Sequence, residues 1–274
     1  MKKILSLVAS ISILFVAYMT PSSADSFDFV ELEGTQNSQT EFLVAAGIPL
    51  EFLEMRSADE LDTLYDLAQT HTLHYSSCED EAMTFGTIPD TDMFLYPYFI
   101  TACSPELPGT RSELDLVLVY VDYAWSAGHP FIHREDAISV NWDSNLFQFV
   151  PNQFSSVDYV LLPNNEKISY NSQINPAKLN LGGLGYFADL SYVLPNAVLN
   201  HSQYCGSASF AVEPKYTIYA GTGNKTQITI QYVHDKNPSP IGGISFSYNG
   251  VGISISSGAF QDSVAKAISI DYSL

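Results

Sequence analysis

The stretch Leu114-Asp115-Leu116-Val117-Leu118-Val119-Tyr120-Val121 decides the fold. It is nearly all apolar and keeps no polar face for solvent, so it fits a central strand covered on both sides. Outward from it toward the C-terminus the hydrophobic period is two. Residues 137–143 alternate Ile138, Val140 and Trp142 against Ser139, Asn141 and Asp143. Residues 216–220 and 227–233 flank Gly221-Thr222-Gly223-Asn224, a hairpin signal. Residues 244–248 meet 251–255 across Asn249-Gly250, a pair suited to a tight two-residue turn. The chain closes with Ile268, Ile270, Tyr272 and Leu274 alternating against Ser269, Asp271 and Ser273. Short strands separated by turn residues predict a mainly β domain over 84–274, an antiparallel sandwich or barrel.

Toward the N-terminus the pattern is helical. Residues 40–46 run into Gly47, which tolerates the left-handed geometry of a helix end, and Pro49 suits a first helical position. Ser57 and Glu60 stand three apart, so each side chain can satisfy the other residue's free backbone N–H. Leu61, Leu64, Tyr65 and Ala68 then fall on one helical face. Asp59, Glu60 and Asp62 lie in the first turn, and His71 and His74 are expected near the helix end, complementing its dipole. An acidic helical region over 25–83 is therefore expected ahead of the strand-rich domain.

The 274 residues carry Lys+Arg 11 against Asp+Glu 30, a net charge of −19. Such a chain repels nucleic acid and anionic membranes. Hydrophobic content of 46% with 13% aromatics excludes a disordered chain. The charge is uneven: from Asp25 to Asp115 there are 19 acids against Arg56 and Arg111, and from Leu116 onward 11 acids against 7 bases. This asymmetry marks a boundary between two compositions.

Residues 1–24 read MKKILSLVASISILFVAYMTPSSA. Lys2 and Lys3 precede an uncharged apolar run, and Ser22-Ser23-Ala24 supplies small residues for a signal peptidase. A membrane anchor is the alternative, the run being near the lower length limit for crossing a bilayer. With cleavage after Ala24, the product is secreted and keeps no stable membrane anchor.

Four stretches carry a resemblance: Ala137-Ile138-Ser139-Val140-Asn141-Trp142-Asp143, Gly182-Gly183-Leu184-Gly185-Tyr186-Phe187, Tyr232-Val233-His234-Asp235-Lys236-Asn237-Pro238, and the Gly243-Ile244-Ser245-Phe246-Ser247 arm of the last hairpin. In these, residues 116–274 resemble a group of uncharacterised secreted proteins of Gram-positive bacteria. The resemblance implies secretion and a strand-rich fold. It carries over no catalytic residue.

Chemistry is harder to find. Export permits disulfides, and three cysteines allow three single pairings; Cys78–Cys103 is the expected bridge, with Cys205 expected as a buried small hydrophobe. His129, His133, Asp136 and Asp143 form the densest polar cluster of the strand-rich part and are the first place to look for convergence. No Glu between the two histidines gives the zinc-hydrolase pattern. Asp90-Thr91-Asp92 lacks the Gly and distal Glu of a calcium loop and reads as a turn after Pro89. Asn224 separates Gly223 from Lys225, which breaks the phosphate-loop spacing, and Gly182-Gly183-Leu184-Gly185 lacks the spacing of a dinucleotide loop. No Ser has Gly two residues away on both sides. The arms around Asn249-Gly250 are too short for a membrane-spanning hairpin. The sequence thus implies no cofactor and no metal. Its reading is a secreted, acidic, non-enzymatic binding protein for an extracellular protein or carbohydrate, the 17 tyrosines being suited to such a contact. The alternative is an extracellular hydrolase using His groups or carboxylates such as Asp136, Asp143 and Asp189, since paired acids need no fixed spacing.

Overall fold

A computed structural model describes residues 32–77, 83–86, 88–89, 91–105, 110–128, 135–193, 201–220, 225–235, 244–246, 253–255 and 261–271. The leader, Cys78, Asp90, His129, His133 and residues 221–224 and 247–252 lie outside them. The chain divides into two compact units, Met1–Ser38 and Gln39–Leu274, and the architecture below is that of the second.

The nearly apolar run Leu114–Val121 forms the first eight residues of β4 (Leu114–Trp125). This strand sits inside a sheet of order β1-β3-β4-β11-β7-β8, comprising Thr72–Ser77, Met93–Cys103, β4, Gln203–Pro214, Ser155–Leu161 and Lys167–Gln173, with β6 (Phe147–Phe149) also paired to β11. The second sheet has the order β2-β15-β12-β5-β10-β9, comprising Met83–Gly86, Gln261–Asp271, Lys225–Asp235, Glu135–Asn141, Gly183–Asp189 and Lys178–Asn180. All pairings are antiparallel. The result is an open sandwich, not a closed barrel.

The two faces of β4 explain why its sequence lacks a polar side. Val117, Val119, Val121, Tyr123 and Trp125 point into the core between the sheets, against Ile138, Val140, Leu184, Tyr186, Ile228, Ile230 and Tyr232. Leu118 and Tyr120 point the other way, into a second core with Leu43, Ile48, Phe52, Leu53, Leu61 and Leu64. Those residues come from α1 (Leu32–Ala45, with its part from Gln39 in this unit), α2 (Leu50–Leu53), α3 (Ala58–Ala68) and the turn at Ile48. A strand roofed by helices and floored by a sheet buries both of its faces, so it is apolar wherever no buried partner meets a polar side chain. Burying a side chain such as Phe52, 1% exposed, contributes about 2–3 kcal/mol.

The glycine helix end and the capping box hold, while Pro49 and His74 are placed differently. Gly47 takes φ +93° after α1, a region closed to most side chains. Ser57 Oγ accepts from the Glu60 amide while the Glu60 carboxylate accepts from the Ser57 amide, closing the capping box. Pro49 is the N-cap of α2, one place ahead of the first helical position. His74 departs from expectation: the helix stops at Ala68 and His74 lies in β1, paired with Thr101, so strand pairing begins at Thr72 and not near 84. Residues 216–220 also depart. They form no hairpin with β12, because β12 is occupied by β15 along one edge and β5 along the other, and Tyr219 bridges Glu113 instead. The arms of the last expected hairpin do pair, as β13 (Ile244–Phe246) and β14 (Ile253–Ile255).

Candidate functional site

Among the described residues the helices pack over β1, β3, β4 and part of β11. Beyond them the outer face of β11, β7 and β8 forms a groove of about 480 Å³. Strand alternation sets its floor. In β11, Ala208 and Phe210 enter the core, so Ser207 and Ser209 face out. Ser155 of β7 stands opposite Ser209, with their hydroxyls 2.9 Å apart, and Ser169 and Ser172 of β8 continue the row. The start of α3 supplies one wall through Ser57, Glu60 and Thr63. Met55 and Ile174, 43% and 76% exposed, add apolar rims. Lys167 also lines the groove, its ammonium 3.9 Å from the Tyr159 ring centre.

A buried ion pair fixes this wall to the floor. Arg56, between α2 and α3, donates through Nη2 to Asp122 of β4 and through Nη1 to Ser207 Oγ at 3.1 Å. Ser207 in turn donates to Asp122 Oδ1 at 2.6 Å. The guanidinium lies 4.5 Å from the Phe52 ring centre and 5.0 Å from that of Tyr120. Burial works against its charge, but the field and hydrogen bond of Asp122 outweigh that and hold Arg56 above its ordinary value.

Of the polar cluster expected from sequence, His129 and His133 lie outside the described residues, and Asp136 and Asp143 do not meet. Asp143 lies past the end of β5 and accepts from the Asn145 amide at 2.8 Å, capping a turn. Asp136 is seven residues away along the same extended segment, roughly 20 Å. It is completely buried, accepting from the Tyr232 hydroxyl and facing His234 Nδ1 at 2.9 Å; Trp125 Nε1 donates to the Tyr232 hydroxyl at 3.0 Å. Asp189 accepts separately from the Ser191 amide at 2.8 Å. The three carboxylates offered for hydrolysis are thus engaged one by one. Reading residues 137–143 alone could not find His234, but the alternation of Ile228, Ile230 and Tyr232 places it on the inward face of β12. The Asp136–His234 contact has the form that orients a catalytic base, yet the two side chains are 0% and 3% exposed and face no solvent.

Cys78 of the expected Cys78–Cys103 bridge lies outside the described residues. Cys103 is a free buried thiol, and so is Cys205. The β1–β3 register puts Thr72 opposite Cys103 and Ser77 opposite Tyr98, so β1 leads away from Cys103. Cys205 is the small buried hydrophobe expected; burial pushes its thiol up to about 12, far from a nucleophile's range. Among the described residues no group of three or more His, Cys, Asp or Glu could hold a metal, and no helix is long and apolar enough to cross a membrane.

No protein-family model matches the sequence, and no curated protein matches it. Solved structures show distant similarity. One is a BspA C-terminal variant, with TM-score 0.30 and 8% identity over 52% of this chain, which spans about half (51%) of that one. Another is the collagen-binding domain of a Staphylococcus aureus adhesin, with TM-score 0.27 and 8% identity, covering 58% of this chain and 87% of that one. A third is the KRT10-binding region domain of the pneumococcal serine-rich repeat protein PsrP, with TM-score 0.27 and 11% identity, covering 69% and 99%. Similarity this low identifies no function.

Proposed function

We propose that this chain is an extracellular binding protein whose partner is an extended segment of another protein, seated in the serine-floored groove. Secretion rests on the leader and on the resemblance to exported proteins of Gram-positive bacteria. The observation that supports the binding reading is the unroofed half of the large sheet, where short hydroxyls lie in rows beside two exposed apolar rims. Hydroxyls on a flat floor can satisfy the backbone amides of an extended chain, and Met55 and Ile174 can take its apolar side chains. A carbohydrate fits less well. Sugar faces stack on exposed rings, and the aromatic residues lining the groove, Tyr120, Phe154 and Phe210, are only 2%, 4% and 1% exposed.

The test is selection from a phage-displayed random-peptide library on the wild-type protein, with counter-selection on Ser209→Trp, which fills the groove. Peptides that bind the wild type and lose at least tenfold affinity for the variant support the reading. No enrichment, or binding indifferent to the tryptophan, sinks it. A parallel array of neutral oligosaccharides bound in a Ser209-dependent way would replace the peptide by a glycan.

A further inference from the structure

Three carboxylates are buried among the described residues, and they differ in company. Asp122 meets Arg56 and Asp136 meets His234. Asp158 of β7, 2% exposed, meets only neutral donors: the Tyr123 hydroxyl at 2.9 Å, Asn171 Nδ2 at 2.7 Å and the Asp189 amide at 3.0 Å. These donors come from β4 and β8 in the first sheet and β10 in the second, so the carboxylate sits on the seam between the sheets. Two more bonds cross the same seam. The Tyr170 hydroxyl donates to the Asp189 carbonyl, and Gln173 Nε2 donates to the Phe187 carbonyl at 2.7 Å. β8 is the last strand of its sheet, with β7 as its strand neighbour, and it carries Ser169, Ser172 and Gln173 of the groove. The seam therefore holds one side of the groove in place.

We propose that ionisation of Asp158 loosens this seam, so that β8 is clamped against the second sheet in acid and released toward neutral pH. The titratable groups facing Asp158 are Tyr123 on β4, Tyr170 on β8, Tyr186 and Asp189 on β10, and Tyr232 on β12. None is a cation, and Asp189 adds a like charge. Burial pushes the Asp158 carboxyl up from the ordinary 3.8 to about 6, against the pull of its hydrogen bonds. The sign follows from linkage. The clamped seam holds the Asp158 proton more tightly than an opened one, where the carboxyl meets water, so clamping is fully favoured below the ordinary value and weakens as pH rises through 6. Any consequence for a ligand rests on the groove reading above; the clamp itself does not.

Hydrogen–deuterium exchange of the β8 amides, corrected for the intrinsic pH dependence of exchange, tests the clamp without a ligand. The opening constant should rise about tenfold between about pH 5 and about pH 7.5 in the wild type, and this rise should vanish in Asp158→Asn. An equal rise in the variant, or protection that increases with pH in the wild type, overturns the proposal. If the variant does not fold, the side-chain carboxyl carbon shift of Asp158 in the wild-type protein decides: a midpoint near 6 supports the clamp, and one at or below the ordinary value refutes it. Peptide selection that fails while the exchange change persists counts against the groove reading alone.

Discussion

Arg56→Met removes a guanidinium while keeping most of its apolar stem. In the folded protein the Arg56 side chain is fully buried and that of Asp122 is 11% exposed, so the substitution strands a carboxylate with Ser207 as its remaining donor. Breaking one side of a buried pair costs about 3–5 kcal/mol, because the remaining charge has neither water nor a counter-ion. Arg56 also lies over Phe52 and Tyr120, and losing that contact falls within the same range. The expected loss is about 4 kcal/mol, or about 10 °C in Tm for a unit of this size. Urea denaturation followed by tyrosine and tryptophan fluorescence measures it. The double variant Arg56→Met, Asp122→Asn removes the stranded charge and should recover more than half of the loss. A single variant within about 1 kcal/mol of wild type would refute the claim that this pair anchors the helical roof. So would a double variant no more stable than the single one, since the penalty would then not come from the uncompensated carboxylate.

Two further outcomes follow from packing and burial. Gly206 faces Tyr123 directly across the β11–β4 ladder, and a Cβ there would lie 2.2 Å from the Tyr123 ring, whose hydroxyl is tied to Asp158. Gly206→Ala should therefore cost about 3 kcal/mol in thermal or urea denaturation, and a variant of wild-type stability would show that the ring is free to move aside. Burial raises the thiols of Cys103 and Cys205, so iodoacetamide at about pH 8 should leave both unlabelled in the native protein and label both once it is unfolded without reductant. Peptide mass mapping reads the two sites separately, and a Cys103 that labels only after reduction would show that it is bridged.

What the sequence could show depended on whether the cause was local. The doubly covered strand was legible because each residue from Leu116 to Val121 reports its own environment, and two apolar faces require two roofs. The capping box was legible because Ser57 and Glu60 complete it within four residues. The last hairpin was legible from its turn, whereas the Gly221-Thr222-Gly223-Asn224 signal misled. Such a turn permits a reversal but does not choose the neighbour, and β12 gains more by pairing with β5 and β15 in the middle of a sheet. Polar contacts were hidden for a different reason. Arg56 and Asp122 are 66 residues apart, Asp136 and His234 are 98 apart, and neither spacing carries information until the strand register exists. Composition nevertheless held a trace of the first pair. Arg56 is one of only two bases between Asp25 and Asp115, beside 19 acids. A lone cation amid so many carboxylates would gain little from one exposed partner. Buried under the helices, the same residue meets a single carboxylate on the central strand, and this contact sets where the roof ends and where the open serine floor begins.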